Sequence, residues 1–335
     1  MIPTDPPGFD EFIGVSTTSL FVLPGLAVLA AAAYLAAAIV MWSRGRSWSI
    51  TRTIVFVLGC AVVATVTAAT LEDYSQVMLS VFMFEQLTLM MLAPPLLVLG
   101  SAGTLMLRVL PHHGAGRVVL IAALAALRSR AARWVLHPAV SVAVFLLLFY
   151  GLYLGDLVDP ILAEPFGHLA LEIAFLGAGI IFTIPILSDD PLPIRMSYPA
   201  RALDLGAEVA LHAFFGVFLM VSPTLVTDHF ANPPASLGID PLVDQGVAGG
   251  LAWSYGEGPT VLMLLFILHR WFRDDTARAT AADARADRFG DTDLNAYNDY
   301  LARLRGDRRT NEPSADGHPG AAGLGPVPNR QEEPQ

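Results

Sequence analysis

Glu85 and Gln86 stand inside FMFEQLTLMMLAPPLLVLG (82–100), a stretch otherwise apolar enough to cross a membrane. A carboxylate in such a helix is costly unless it is paired, protonated or holding a cation. Other ionisable groups occur in comparable surroundings. His168 and Glu172 are four residues apart and share a helical face, and Glu208, His212 and Glu257 follow in later apolar runs. Carboxylates and imidazoles in a membrane can relay protons or bind a cation. Met78, Met83, Met90, Met91, Met220 and Met263 could offer soft thioethers to Cu(I), although packing is the commoner role of such residues. Covalent chemistry has little to work with. All 20 basic residues are Arg, which excludes Lys-dependent Schiff bases, and the single Cys60 can form no intramolecular disulfide and no Cys-pair metal site. Gly100-Ser-Ala-Gly103 follows a membrane helix, not a strand, so no nucleotide loop and no nucleic-acid partner is expected. With no positioned nucleophile or cofactor motif, the chain is not expected to be an enzyme.

The elements that must position these groups are membrane helices. The chain is 54% hydrophobic over 335 residues, with a mean hydropathy of +0.54. Runs long enough to span a bilayer, about 20 residues, fall at about 20–42, 53–71, 77–99, 136–155, 166–187, 202–223 and 248–271. The expected fold is therefore an all-α, seven-transmembrane-helix bundle. Arg is confined to alternate connections: 43–52, 100–135, 188–201 and everything after 271. Segments 1–19, 72–76, 156–165 and 224–247 contain no Arg and hold acids instead. Because Lys and Arg collect on the cytoplasmic side, this alternation predicts an extracytoplasmic N-terminus and a cytoplasmic C-terminus in a bacterial plasma membrane. Residues 1–19 lack the basic start of a signal peptide, so the first apolar segment is expected to remain. At about 1.5 Å per residue, Glu85, Glu172, His212 and Glu257 all fall in the outer half of the membrane.

Other polar features read more simply. Buried Glu, Gln or His side chains often hold helices together by hydrogen bonds. Segment 115–134, broken by four Arg, is expected to be an amphipathic helix on the cytoplasmic face with Trp134 near the headgroups. His137 and His269 sit at span ends as interface anchors, and Asp189-Asp190-Pro191 reads as a turn or cap. Asp244-Gln245, Gly249-Gly250, Trp253, Gly256 and Glu257 are expected to form the outer entry to the last span, with glycines allowing close helix approach. Residues 274–335 form a charged tail, with one or two surface helices and a disordered part from about Thr310.

LTLMMLAPPLLVLGSAGTLMLRVLP (87–111), His137-Pro138, FLGAGIIFTIPILSDDPLPIR (175–195), HAFFGVFLM (212–220) and DQGVAGGLAWSYGEGPTVLMLL (244–265) together resemble the CtaG-like family of cytochrome c oxidase assembly factors. The resemblance implies seven spans and a role in assembling, or supplying copper to, the copper centre of a haem–copper oxidase on the extracytoplasmic side. It also implies histidine ligands, and here the chain departs from the pattern. Where members read His-Met-x-Gln-His, this chain has Phe82-Met83-Phe84-Glu85-Gln86; four residues after His168, where members carry His, it has Glu172. His168 and His212 match.

Three functional readings result. In the first, the chain is an accessory factor for oxidase assembly that handles copper, with His168, His212, Glu172, Glu85 and Met83 as the remaining ligands. In the second it has lost metal binding and serves as a scaffold for oxidase subunits. In the third, Glu85, Glu172, His212 and Glu257 carry protons or a cation across the membrane, which the lack of an inverted repeat disfavours. The expected partners are the lipid bilayer and cytochrome c oxidase subunits, and self-association is left open.

Overall fold

The computed structural model describes residues 8, 14–17, 19–111, 113–188, 190, 196–289 and 292–310. Long helices dominate: α1 (Val22–Ser43), α2 (Ile50–Ala68), α3 (Leu79–Val109), α4 (Pro138–Leu154), α5 (Gly167–Leu187), α6 (Tyr198–Val221) and α7 (Pro241–Arg288). All but α4 are long and apolar enough to cross a membrane. The span expected at 136–155 is thus the shorter apolar helix of the set. Among the described residues the β pairing is one isolated bridge, between Val15 and Ala69.

Helix starts follow from capping chemistry. The Ser49, Ser197 and Asp240 side chains accept N–H groups of the first turns of α2, α6 and α7, satisfying donors that the helix itself leaves unpaired. His137, read above as an interface anchor, caps α4, its Nδ1 accepting the Ala139 N–H at 3.2 Å. Asp240 places the start of α7 at Pro241, before the expected 248, so Asp244 and Gln245 lie within the helix. Asp240→Ala is expected to cost about 1 kcal/mol, measurable as a lowered thermal midpoint in detergent. Asp190 accepts the Thr104 N–H at 2.7 Å and so caps a turn of another helix, while Asp189 and Pro191 lie outside the described residues.

α3 is central: it packs on α2, α5 and α7. Pro94 and Pro95 lack the N–H groups that would bond the carbonyls of Met90 and Met91, and the helix widens into a π turn over Thr88–Leu92 just before them. A neighbour must accommodate that bulge. α5 does so at Gly179, where a Cβ would lie 2.2 Å from the Met90 carbonyl oxygen and 2.6 Å from Pro94 Cγ. α6 and α7 meet in the same way at Gly216 and Gly249, as the glycine-rich sequence of α7 suggested.

The expected amphipathic helix 115–134 is two helices, Gly114–Leu127 and Arg130–Val135; Ser129 caps the second by accepting the Ala132 N–H at 3.0 Å. The chain divides into two compact units, Met1–Phe272 and Arg273–Gln335. The second holds the end of the helix Glu257–Phe289 and the helix Thr292–Thr310, whose described side chains are mostly exposed. The tail expected to be disordered from about Thr310 lies outside the described residues.

Candidate metal centre

Four ionisable side chains converge at the acidic, arginine-free end of the bundle. Glu72 comes from the turn of helix Leu71–Ser75 between α2 and α3, Glu85 from α3, and His168 and Glu172 from the first turns of α5. One donor atom from each lies within 4.8 Å of the others. The carboxylates are buried, with Glu72 4%, Glu85 2% and Glu172 7% exposed.

His168 Nε2 is the hub. It lies 3.2 Å from Glu72 Oε1, 3.4 and 3.2 Å from the two Glu85 oxygens, and 3.3 Å from Ser75 Oγ. One ring nitrogen carries at most one proton, so it cannot satisfy all these oxygens at once. Gln76 Nε2 donates to Glu72 Oε1 at 3.4 Å, while Glu72 Oε2 and His168 Nδ1 have no hydrogen-bond partner. Burial pushes Glu72 up to about 7; Glu85 adds to the shift and His168 opposes it. No Arg occurs in residues 1–19, 69–78, 155–168 or 222–245, the segments at this end, and the chain has no Lys. The imidazole is the cationic partner that the three carboxylates have within reach, and it supplies at most one positive charge.

The polypeptide around the cluster is tied down. Ser16 Oγ donates to Asp73 Oδ1 at 2.5 Å, Thr17 N to the same oxygen at 3.1 Å, and Ser16 N to Ala68 O at 2.8 Å. These bonds fasten the segment before α1 over the turn that presents Glu72. Beside it a cavity of about 120 Å³ is lined by Glu72, Gln76, His168 and Glu172 together with the start of α1. The cluster therefore has an approach from the acidic end.

The candidate ligands of the sequence divide between this centre and other places. Glu85, His168 and Glu172 come together. His212 is fully buried but elsewhere, with no hydrogen-bond partner on either nitrogen. It faces Met91 across Gly256, where a Cβ would lie 2.4 Å from Met91 Sδ and 3.0 Å from His212 Nε2. Met83 is buried in the apolar core. Glu257, counted above as a membrane-depth acid, has an exposed side chain just after Tyr255 and Gly256, where the regular helical pattern of α7 is interrupted, and it does not belong to the cluster. At two of the three positions where an implied histidine is replaced, Phe82 lays its ring 5.4 Å from that of His168, and Gln86 Oε1 accepts the Tyr153 hydroxyl at 2.9 Å; the third, Glu172, joins the cluster.

Glu72 was missed in the sequence because it reads as a solvated acid in a short connection. The signal was present: five residues between two spans, with Tyr74 among them and Leu71, Val77 and Met78 on either side, are too few to carry an acid clear of the bundle.

Long apolar helices surrounding a buried carboxylate–imidazole cluster place the chain in the class of multi-pass helical membrane proteins. It belongs, more narrowly, to the cytochrome c oxidase caa3 assembly factor family, whose model matches residues 32–274. Similar proteins described as uncharacterised occur in Mycobacterium bovis and Mycobacterium tuberculosis, each 34% identical over 307 residues, and in Mycobacterium leprae, 32% identical over 312 residues. These alignments cover 90% of this chain but 45% of each relative, so the chain spans about half the length of the curated relatives it matches. No solved structure matches it.

Proposed function

We propose that the chain is an accessory factor for cytochrome c oxidase assembly that holds a metal cation, copper in the first instance, destined for the oxidase copper centre. It crosses a bacterial plasma membrane seven times, with the N-terminus and the cluster facing outward and the C-terminus in the cytoplasm. Family membership supports the assembly role, and the confinement of Arg to alternate connections supports the orientation. The observation that carries the reading is the cluster itself: three buried carboxylates and an imidazole, short of positive charge, beside a cavity at the outward-facing end. Buried charges are retained when they are paired or coordinate metals. The partners of such a factor are oxidase subunits within the bilayer.

Deleting the gene is expected to leave cells with little spectroscopically intact haem–copper oxidase, and expressing this chain should restore it. Unchanged oxidase spectra in the deletion strain would overturn the assembly role. A second reading, a scaffold without metal, is favoured by one observation: Phe82 and Gln86 have taken up packing and hydrogen-bonding roles at positions where histidine was implied. That reading requires a chain with His168→Ala and Glu85→Gln to restore the oxidase fully.

A further inference from the structure

We infer that the Glu72, Glu85, His168 and Glu172 cluster is a divalent-cation site that discriminates against Cu(I). Copper held there is Cu(II), and Zn(II) and Mn(II) compete for the same place. This rests on the reading of the cluster as a metal centre and specifies which ions it takes.

The donor set comes first. Three carboxylates and one imidazole suit hard and borderline divalent ions, whereas Cu(I) is selected by thiolates and thioethers. No sulfur belongs to the set. Cys60 is buried in α2, Met91 faces His212, and Met83 sits two residues before Glu85, which turns it about 200° around the helix.

Charge points the same way. A carboxylate gives up its proton when it ligates a metal, so with an ion bound the three carboxylates around one imidazole carry an excess of negative charge, at an end of the bundle with no Arg or Lys in its segments. A monovalent ion would leave most of it uncompensated in a poorly solvated place, where unpaired charge is most costly. A divalent ion offsets about twice as much.

Geometry allows an ion to enter. Carboxylate and imidazole donors lie about 2.0–2.2 Å from a borderline ion such as zinc, so tetrahedral donors are about 3.4 Å apart. The four donor atoms already lie within 4.8 Å of one another, and rotation of the carboxylates by roughly an ångström at their oxygens brings them to that spacing. Glu72 Oε2, on a residue 4% exposed, has no hydrogen-bond partner, and a metal at the hub gives that carboxylate a second interaction. The cavity of about 120 Å³ that reaches Glu72, His168 and Glu172 provides an entry path.

The test is equilibrium dialysis of the purified chain in detergent against Mn(II), Zn(II) and Cu(II), and separately against Cu(I) under reductant with a competing Cu(I) chelator. Loss of the free Mn(II) spin-resonance signal reports occupancy directly. Roughly one divalent ion per chain is expected, with Cu(I) captured by the chelator. In Glu72→Gln with Glu172→Gln, which keeps side-chain shape, divalent affinity should fall by at least about 100-fold, since losing even outer-shell partners costs about 10–100-fold. The comparison of ions on the unaltered chain stands whether or not this variant folds. Cu(I) held against the chelator at the expense of bound Mn(II) would overturn the selectivity while leaving a metal centre in place. Retention of no ion at all would overturn the metal centre together with it.

Discussion

A chain carrying His168→Ala is expected to lose divalent-cation affinity by at least about 100-fold, with Mn(II) occupancy followed by spin resonance. His168 is the nitrogen donor of the cluster, and its Nε2 stands within 3.4 Å of oxygens from Glu72, Glu85 and Ser75. Removing it deletes a ligand and the group around which the carboxylates are arranged. Gln86→Ala provides the contrast. Gln86 is 2% exposed and one residue from Glu85, but its side-chain oxygen is engaged by Tyr153. Its loss leaves the Tyr153 hydroxyl without its acceptor, at about 1–3 kcal/mol, and should leave cation affinity within about threefold of the parent, less than the effect expected of a ligand's partner. Comparable affinity losses from the two substitutions would show that burial near the site, not ligation, controls binding.

A large loss of stability is expected from Gly179→Ala. The new methyl group would approach the Met90 carbonyl oxygen to 2.2 Å and Pro94 Cγ to 2.6 Å, and neither is a flexible side-chain end that can swing aside. The cost should be at least about 1–3 kcal/mol, the usual range for overpacking, read as a fall in thermal midpoint in detergent. Gly177→Ala is the matched control two residues earlier on α5. A methyl group there meets nothing within 4 Å, so the change should be neutral or mildly stabilising through helix propensity. Equal losses at the two positions would contradict the close approach of α5 to the π turn of α3.

These two sites show what could be read in the sequence. The long apolar runs appear as helices because a continuous 20-residue pattern leaves few alternatives in a membrane. The spacing of His168 and Glu172 put both on one face, and α5 does present both to Glu85. Local signals failed where the deciding contact was distant. Glu72 looked solvated because nothing in the connection 72–76 shows that α5 delivers an imidazole to it. Glu257 was grouped with the cluster by depth alone, which does not say that its side chain faces outward, as it does here. The start of α7 was placed seven residues late because Asp240, which caps it, lies in a polar stretch that hydropathy alone assigns to the loop. His212 was grouped with His168 by depth, a coordinate that carries no information about which way each helix faces. The Phe82 and Gln86 departures were visible from the start, and the structure adds the reason they are tolerated: one packs against the remaining histidine, and the other holds Tyr153.

The most direct measurement is the copper content and visible spectrum of the oxidase purified from a strain whose only copy of this chain carries Glu72→Gln with Glu172→Gln. Oxidase depleted of copper to the level of the deletion strain, while the variant chain is present at normal abundance in the membrane, is the expected result. Oxidase with its full copper complement in that strain would contradict a working metal centre at this cluster.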